Sequence, residues 1–225
     1  MKHFAITDIH GMFDLLLNAL HTIYNKYPDE DVTIIFLGDY IDRGPKSKQV
    51  VDLLMAGPAY IPERRNRKDV WIILKGNHED MMVNALQSSH TSSNYRHFVQ
   101  NGGDKTLQSF KNVDNIRHYI DWMDSLPTSY ETKFHFFCHA GIWPDKPLKD
   151  QDEKTLLWIR DRFLQYPYKH EKYIIHGHTP NDQAEVLDNR CNLDSGAVWT
   201  NILSIAEIDI TQPSLPNVYK ITTWS

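Results

Sequence analysis

Asp8, His10, Asp39, Asn77, His139 and His178 are oxygen and nitrogen donors of the kind that hard and borderline divalent metals accept. Each sits at the end of an apolar run. They belong to Asp8-Ile9-His10-Gly11, Gly38-Asp39-Tyr40-Ile41-Asp42-Arg43-Gly44, Gly76-Asn77-His78-Glu79, Cys138-His139-Ala140-Gly141 and Gly177-His178-Thr179-Pro180. Asp8 and His10 are two residues apart and can reach one ion. Asp39 has two oxygens and can bridge that ion to a second. Asn77, His139 and His178 supply neutral donors for the second ion, and a neutral Asn77 leaves room for a phosphate oxygen. Two ions about 3.5–4 Å apart can draw a nucleophile from water and polarise a phosphoryl group for in-line attack.

Other residues lie beside these ligands. A carboxylate at Asp42, hydrogen-bonded to His78, would hold the ring and favour its protonated form. That ring could donate a proton to a leaving alkoxide. The fork of Arg43 suits two phosphate oxygens. A second guanidinium would come from Trp158-Ile159-Arg160-Asp161-Arg162, where Arg160 and Arg162 are both candidates. Blander readings exist for each segment. A lone Asp at a strand end is more often a helix cap, Gly44-Pro45 suits a turn, and Asn77 could cap a helix. Five such segments in one strand-then-loop context outweigh them.

Ligands at the carboxyl ends of strands converge because those loops share a sheet edge. The strands expected here are His3–Thr7, Val32–Leu37, Val70–Lys75, Phe134–Phe137 and Tyr173–Ile175. Phe13, Leu16, Leu17, Leu20 and Tyr24 follow helical spacing after the first; Val50, Val51 and Leu54 after the second; Met82, Ala85 and Leu86 after the third. This β-α-β-α-β-α order predicts parallel strands covered by helices. Ile116, Tyr119, Ile120 and Met123 mark a further helix. From Thr132 onward the runs are mostly strands, at 132–138, 173–176, 191–194, 202–210 and 218–222, which predicts a second packed sheet. Gly57–Lys68 and Gln87–Asn94 read as loops, and the basic group Arg64, Arg65, Arg67 and Lys68 as a solvated turn.

The 225 residues, 41% hydrophobic and 24% charged, suit a packed core, and no linker separates the ligands, so one domain over 1–225 is expected. A net charge of −5 argues against general affinity for nucleic acid or anionic membrane. No apolar run approaches the roughly 20 residues of a membrane span. The N-terminus, one Lys and a short run ending in Asp8, does not read as a signal peptide. Two cysteines argue against a disulfide framework and for the cytoplasm. Cys138, next to His139, is expected on the opposite strand face as a packing residue. His176 is expected to be structural or to support a neighbouring ligand from behind, and His3, His21, His90, His97, His118, His135 and His170 to be surface or packing residues.

Together these segments resemble the calcineurin-like metallophosphoesterase superfamily, and more closely its phosphoprotein phosphatase branch, with the order GDxHG, GDxxDRG, GNHE, H(A/G)G and GHT. Asn101-Gly102-Gly103 with Thr106-Leu107 is similar to bacterial and phage serine/threonine phosphatases and to symmetrical diadenosine tetraphosphatases. The resemblance implies an α/β fold, a four-layer α/β/β/α sandwich. It implies Asp8, His10 and Asp39 on a first metal, and Asp39, Asn77, His139 and His178 on a second. His78 with Asp42 would be the proton-donating pair, and Arg43, Arg160 and Asn77 would meet the substrate phosphate. Manganese is the metal expected, with iron and zinc as alternatives. Thr7 replaces the first glycine of GDxHG, which predicts altered packing and retained metal. Asp194-Ser195-Gly196-Ala197 resembles the family's DTGA segment and is expected to support the site. The activity implied is a serine/threonine protein phosphatase acting on a phosphoprotein or small phosphoester; the alternative is symmetrical diadenosine tetraphosphate hydrolysis. A tetraphosphate needs more cations than Arg43 and Arg160, and Arg64–Lys68 would serve only if that loop folded back to the metals. A metal-binding scaffold without catalysis is least favoured, because no ligand is lost.

Overall fold

The computed structural model of the chain describes residues 2–223. In chain order the elements are β1 (Lys2–Ile6), α1 (Phe13–Lys26), β2 (Val32–Phe36), α2 (Ser47–Ala56), β3 (Val70–Ile73), α3 (Asn77–Leu86), α4 (Ser93–Phe98) and α5 (Asp104–Ser109). Then come α6 (Ile116–Asp124), β4 (Ser129–Glu131), β5 (His135–Cys138), α7 (Glu153–Trp158), α8 (Asp161–Leu164), β6 (Tyr173–His176), β7 (Glu185–Val186), β8 (Arg190–Asn192), α9 (Ala197–Thr200), β9 (Ile202–Ile208) and β10 (Asn217–Thr222). Among the described residues the strands form two five-stranded sheets, ordered β10-β9-β1-β2-β3 and β4-β5-β6-β8-β7. The centre of each is parallel: β1 with β2 and β2 with β3, β5 with β6 and β6 with β8.

The two-residue period of each strand decides the layers. In β1, Phe4 and Ile6 face a core shared with Leu15, Leu16 and Leu20 of α1, Val50 and Leu54 of α2, Met82 of α3 and Met123 of α6. Ala5 faces the other way, into a second core with Ile35, Leu37, Phe137, Ile175, Leu193 and Ala206. That core lies between the sheets. In β5, Phe136 and Cys138 face a third core with Leu156 of α7 and Phe163 of α8. Three stacked cores make four layers, α/β/β/α, as the resemblance implies. Cys138 is a fully buried free thiol on the outer face, away from His139. Among the described residues no helix is long and apolar enough to cross a membrane.

Some boundaries differ from expectation. The run expected at 132–138 is a strand only over His135–Cys138; residues 132–134 form the turn from β4, in which Thr132 Oγ1 accepts the His135 N–H at 3.1 Å, and β4 pairs antiparallel with β5. The run 191–194 ends at Asn192, and β7 pairs with it as a two-residue edge. The Gln87–Asn94 loop stops at Ser92, whose Oγ accepts the Tyr95 N–H at 3.1 Å and caps α4.

The basic turn is not uniformly solvated. Arg64 is buried and forks onto Asp69, with Nε to Oδ2 at 2.6 Å and Nη2 to Oδ1 at 2.7 Å. It also donates to the carbonyls of Tyr27, Pro28 and Glu30. Arg67 donates to the carbonyls of Pro28 and Asp29. This turn therefore clamps the entries to β2 and β3, at the amino ends of the parallel strands. Removing one partner of a buried pair strands the other charge, at a cost of about 3–5 kcal/mol. Arg64→Leu should lower the unfolding free energy by about 3 kcal/mol in urea titration; a loss below about 1 kcal/mol would contradict this role for the clamp.

Candidate active site

The loops that carry the proposed ligands all leave the carboxyl ends of parallel strands, and backbone bonds zip them together. After β1 and β2, Asp8 N–H donates to Gly38 O, His10 N–H to Asp39 O and Gly11 N–H to Tyr40 O. After β5 and β6, Gly177 N–H donates to His139 O. The contacts that join the sheets include His139 Nδ1 to Leu37 O at 3.0 Å and His178 N–H donating to Asp8 Oδ2 at 3.0 Å. Glycine is required where these loops cross. A Cβ on Gly76 would lie 2.3 Å from Asp39 N and Oδ1, and one on Gly177 would lie 2.0 Å from Asp8 Oδ2.

The turns are tight enough to force side-chain-bearing residues into positive φ. Asp8 (49°), His10 (44°), Asp39 (58°), Asp42 (71°), Arg43 (65°) and His178 (69°) adopt it. Elsewhere among the described residues only Asn201 does, besides glycines. Left-handed backbone at a non-glycine residue is unfavourable and gathers where the surroundings impose it, which is commonly a functional site.

Two donor groups result. Ligand atoms of His10, Asp39 and His78 lie within 4.8 Å of one another, as do those of Asp39, His139 and His178. Asp39 belongs to both. All of these residues are buried, as are Asp8 and Asn77. His10 Nδ1 donates to Ile41 O at 2.7 Å, which leaves Nε2 as an acceptor, 2.7 Å from Arg43 Nη1 and 3.5 Å from Asp39 Oδ2. His139, held the same way through Nδ1, presents its Nε2 lone pair to Asn77 Oδ1 at 2.8 Å and Asp39 Oδ1 at 3.3 Å. His178 Nδ1 lies 2.9 Å from the same Asn77 oxygen. Acceptors turned toward one another at these distances are a coordination set for a cation.

Electrostatics agree with that fit. Burial, then the carboxylates of Asp8 and Glu79, push the Asp39 carboxyl well above the usual range. A positive ion at this point offsets both effects. Burial and the Arg43 guanidinium hold His10 down at about 3, and burial lowers His139 and His178 too. Neutral imidazoles keep the lone pairs that metals bind.

His78 and Asp42 meet at 2.6 Å, Nδ1 to Oδ2, with Nε2 of His78 turned toward Asp39 Oδ2 at 3.8 Å. Burial pushes His78 well down and Asp42 well up. Both shifts disfavour charge on either partner.

Arg43 Nη1 lies 2.7 Å from His10 Nε2, and Arg160 Nη1 donates to Thr179 Oγ1 at 3.2 Å beside His178. Arg162 instead pairs with Asp145 and lies over Trp143, so of the two candidate arginines the geometry brings only Arg160 to the site. Gly76, not Asn77, is the N-cap of α3; Asn77 is its first residue and turns its side chain to the histidines. Thr7 donates its hydroxyl to Asp8 Oδ2 at 2.6 Å, so the departure from glycine adds a bond to a proposed ligand. Asp194 accepts the Gly196 N–H, and Asn192 ties the same loop to Thr179 O. His176 is buried against Phe163 and Arg190, a packing role.

Two residues were given no role in the sequence reading. Glu79 is fully buried, and its carboxylate accepts the N–H groups of Asp39 and Gly76 at 2.9 Å and of Tyr40 at 2.8 Å. Thr106 donates its hydroxyl to Asp42 Oδ1 at 2.6 Å and accepts the Asp42 N–H at 2.8 Å. A Glu three residues after a helix N-cap is a signal for the first. Nothing local signals the second, which acts across 64 residues.

The sequence matches the calcineurin-like phosphoesterase family over residues 1–210. It is 26% identical over 214 residues to serine/threonine-protein phosphatase 1 of Salmonella typhimurium, covering 91% of this chain and 90% of the relative. The fold is similar to a candidate diadenosine tetraphosphatase (TM-score 0.68, 17% identity, 99% of this chain and 94% of the other). It is also similar to a Saccharomyces cerevisiae protein serine/threonine phosphatase (TM-score 0.64, 16% identity, 100% and 81%). A family match over nearly the whole chain, joined to a buried donor cluster at one edge of two stacked sheets, establishes a metallophosphoesterase: the chain belongs to the calcineurin-like phosphoesterase family.

Proposed function

We propose that this protein is a cytoplasmic, single-domain phosphomonoesterase that removes phosphate from phosphoserine and phosphothreonine in proteins. Asp8, His10 and Asp39 would hold one divalent ion, and Asp39, Asn77, His139 and His178 a second, with manganese the expected metal. Two ions held by these residues would supply a nucleophile from water and Lewis acidity toward the phosphoryl oxygens. Arg43 and Arg160 would orient the phosphate, together with Asn77. His78 gives its Nε2 proton to the leaving oxygen, while Asp42 fixes the ring and Thr106 fixes Asp42.

The observation that carries this reading is the buried His78–Asp42 pair with Nε2 aimed at the donor cluster. An alkoxide leaving from serine or threonine is strongly basic and needs a proton; a nucleotide phosphate leaves as a stable anion and gains little. The clamp of Arg64 and Arg67 at the other end of the strands also weakens the tetraphosphate alternative, since those two cations are engaged away from the site.

Assayed side by side at equal metal loading, phosphoserine and phosphothreonine peptides should show a higher kcat/KM than diadenosine tetraphosphate. The reverse order would replace this reading with the nucleotide one. Elemental analysis of active protein should find two ions per chain, and Asp39→Asn should lower the occupancy of both sites. Occupancy of one ion in fully active protein would rule out a shared Asp39.

His78→Asn should keep metal content and lower kcat on alkyl phosphates by about 10²–10⁴, with a smaller loss on p-nitrophenyl phosphate, whose leaving group needs little protonation. Thr106→Val should act in the same direction, about tenfold, by removing one hydrogen bond to a carboxylate. Equal losses on aryl and alkyl esters would count against the proton-donor role.

A further inference from the structure

Thr7 takes no part in the reaction proposed above, yet it is buried where the two sheets meet. It follows β1 directly, and its hydroxyl donates to Asp8 Oδ2 at 2.6 Å. The same oxygen accepts the His178 N–H at 3.0 Å. A carboxylate oxygen has two lone pairs, and these two donors occupy both. Asp8 is left with Oδ1 to offer an ion. Its backbone is pinned as well: the Asp8 N–H donates to Gly38 O at 3.1 Å, and its φ is 49°. Asp8 belongs to neither of the two tight donor groups, whereas His10 belongs to one and Asp39 to both. Thr7 packs in turn on Gly177, where a Cβ would lie 2.4 Å from Thr7 Oγ1 and 2.7 Å from its Cγ2. A β-branched side chain packed this closely has little rotamer freedom.

We propose that Thr7 is a positioning residue for the first of the two ions. With the His178 N–H, its hydroxyl fixes the Asp8 carboxylate as a one-oxygen ligand beside His10 and Asp39. This rests on the two-ion reading above. Hydrogen bonds behind a ligating carboxylate orient it, and losing one costs about 10–100-fold in metal affinity. The effect should be selective. Oδ2 ties Thr7 to a ligand of the first ion, while Asp39, Asn77, His139 and His178 would hold the second. The His178 N–H stays on Oδ2 when the hydroxyl is removed, so the seam between the sheets keeps one of its bonds. Glycine, which stands at this place in the segment that Thr7–Gly11 resembles, brings no hydroxyl, so the bond is a feature of this chain.

In the test, the metal-loaded full chain, as parent, Thr7→Ala, Thr7→Val and Thr7→Ser, is dialysed against graded concentrations of free manganese, and the ions bound per chain are counted. The binding step that disappears in His10→Ala marks the first site. Thr7→Ala should need about tenfold more free manganese to fill that step and should leave the other step unchanged, while Thr7→Ser, which keeps the hydroxyl, should stay close to the parent. Thr7→Val keeps the shape without the hydroxyl and carries the test if Thr7→Ala does not fold. An unchanged or tighter first step overturns the proposal. So does an equal weakening of both steps, or a loss in Thr7→Ser as large as in Thr7→Ala, since either would mean that Thr7 only packs the seam. A parent that binds fewer than two ions defeats the two-ion reading itself; a parent that binds two, with both steps unmoved in Thr7→Ala, defeats the Thr7 assignment alone.

Discussion

Glu79 is the point on which the site depends. One buried carboxylate gathers the N–H groups of Asp39, Tyr40 and Gly76, so it fastens the loop after β2 to the first turn of α3. Asp39 is thereby set between the two donor groups, and His78 N–H donates to its Oδ1 at 3.0 Å. Burial raises the Glu79 carboxyl above its usual range, and the N–H bonds oppose that shift. The carboxylate is tolerable there only because nearly every lone pair is used. Without it, the N–H groups of Asp39, Tyr40 and Gly76 would lose this acceptor.

Positioning then follows from the layers. The inter-sheet core uses small residues at Ala5 and Ala206 and branched ones around them, which sets the two sheets close enough for His139 to reach Leu37 O. The helices contribute less to the chemistry than to the walls. The exceptions are α3, which delivers Asn77 and His78 from its first turn, and α5, which delivers Thr106 to the back of Asp42.

Much of this was legible in the sequence because it was local. Strand periodicity and the segments around Asp8, Asp39, Asn77, His139 and His178 are patterns within a few residues, and the structure gathers those segments at one edge. The early parallel strands and the helices after them were legible for the same reason. The short helices α4, α5, α7, α8 and α9 were not, since four to six residues carry too little apolar period. The pairing of Arg64 with Asp69 was also missed: a cluster of basic residues reads as a solvated face, and only the fold reveals which one is turned inward. Arg160 and Arg162 were indistinguishable by spacing; their partners, Thr179 and Asp145, lie 19 and 17 residues away.

The run of left-handed residues carries an evolutionary consequence. At about 1 kcal/mol each, six such positions hold roughly 6 kcal/mol, comparable with the whole stability of an ordinary domain. Asparagine or glycine would relax most of them, and almost every one is a residue whose side chain faces the donor cluster. Selection for robustness alone would therefore erode this centre first, one donor at a time, and leave behind a sturdier and inert sandwich.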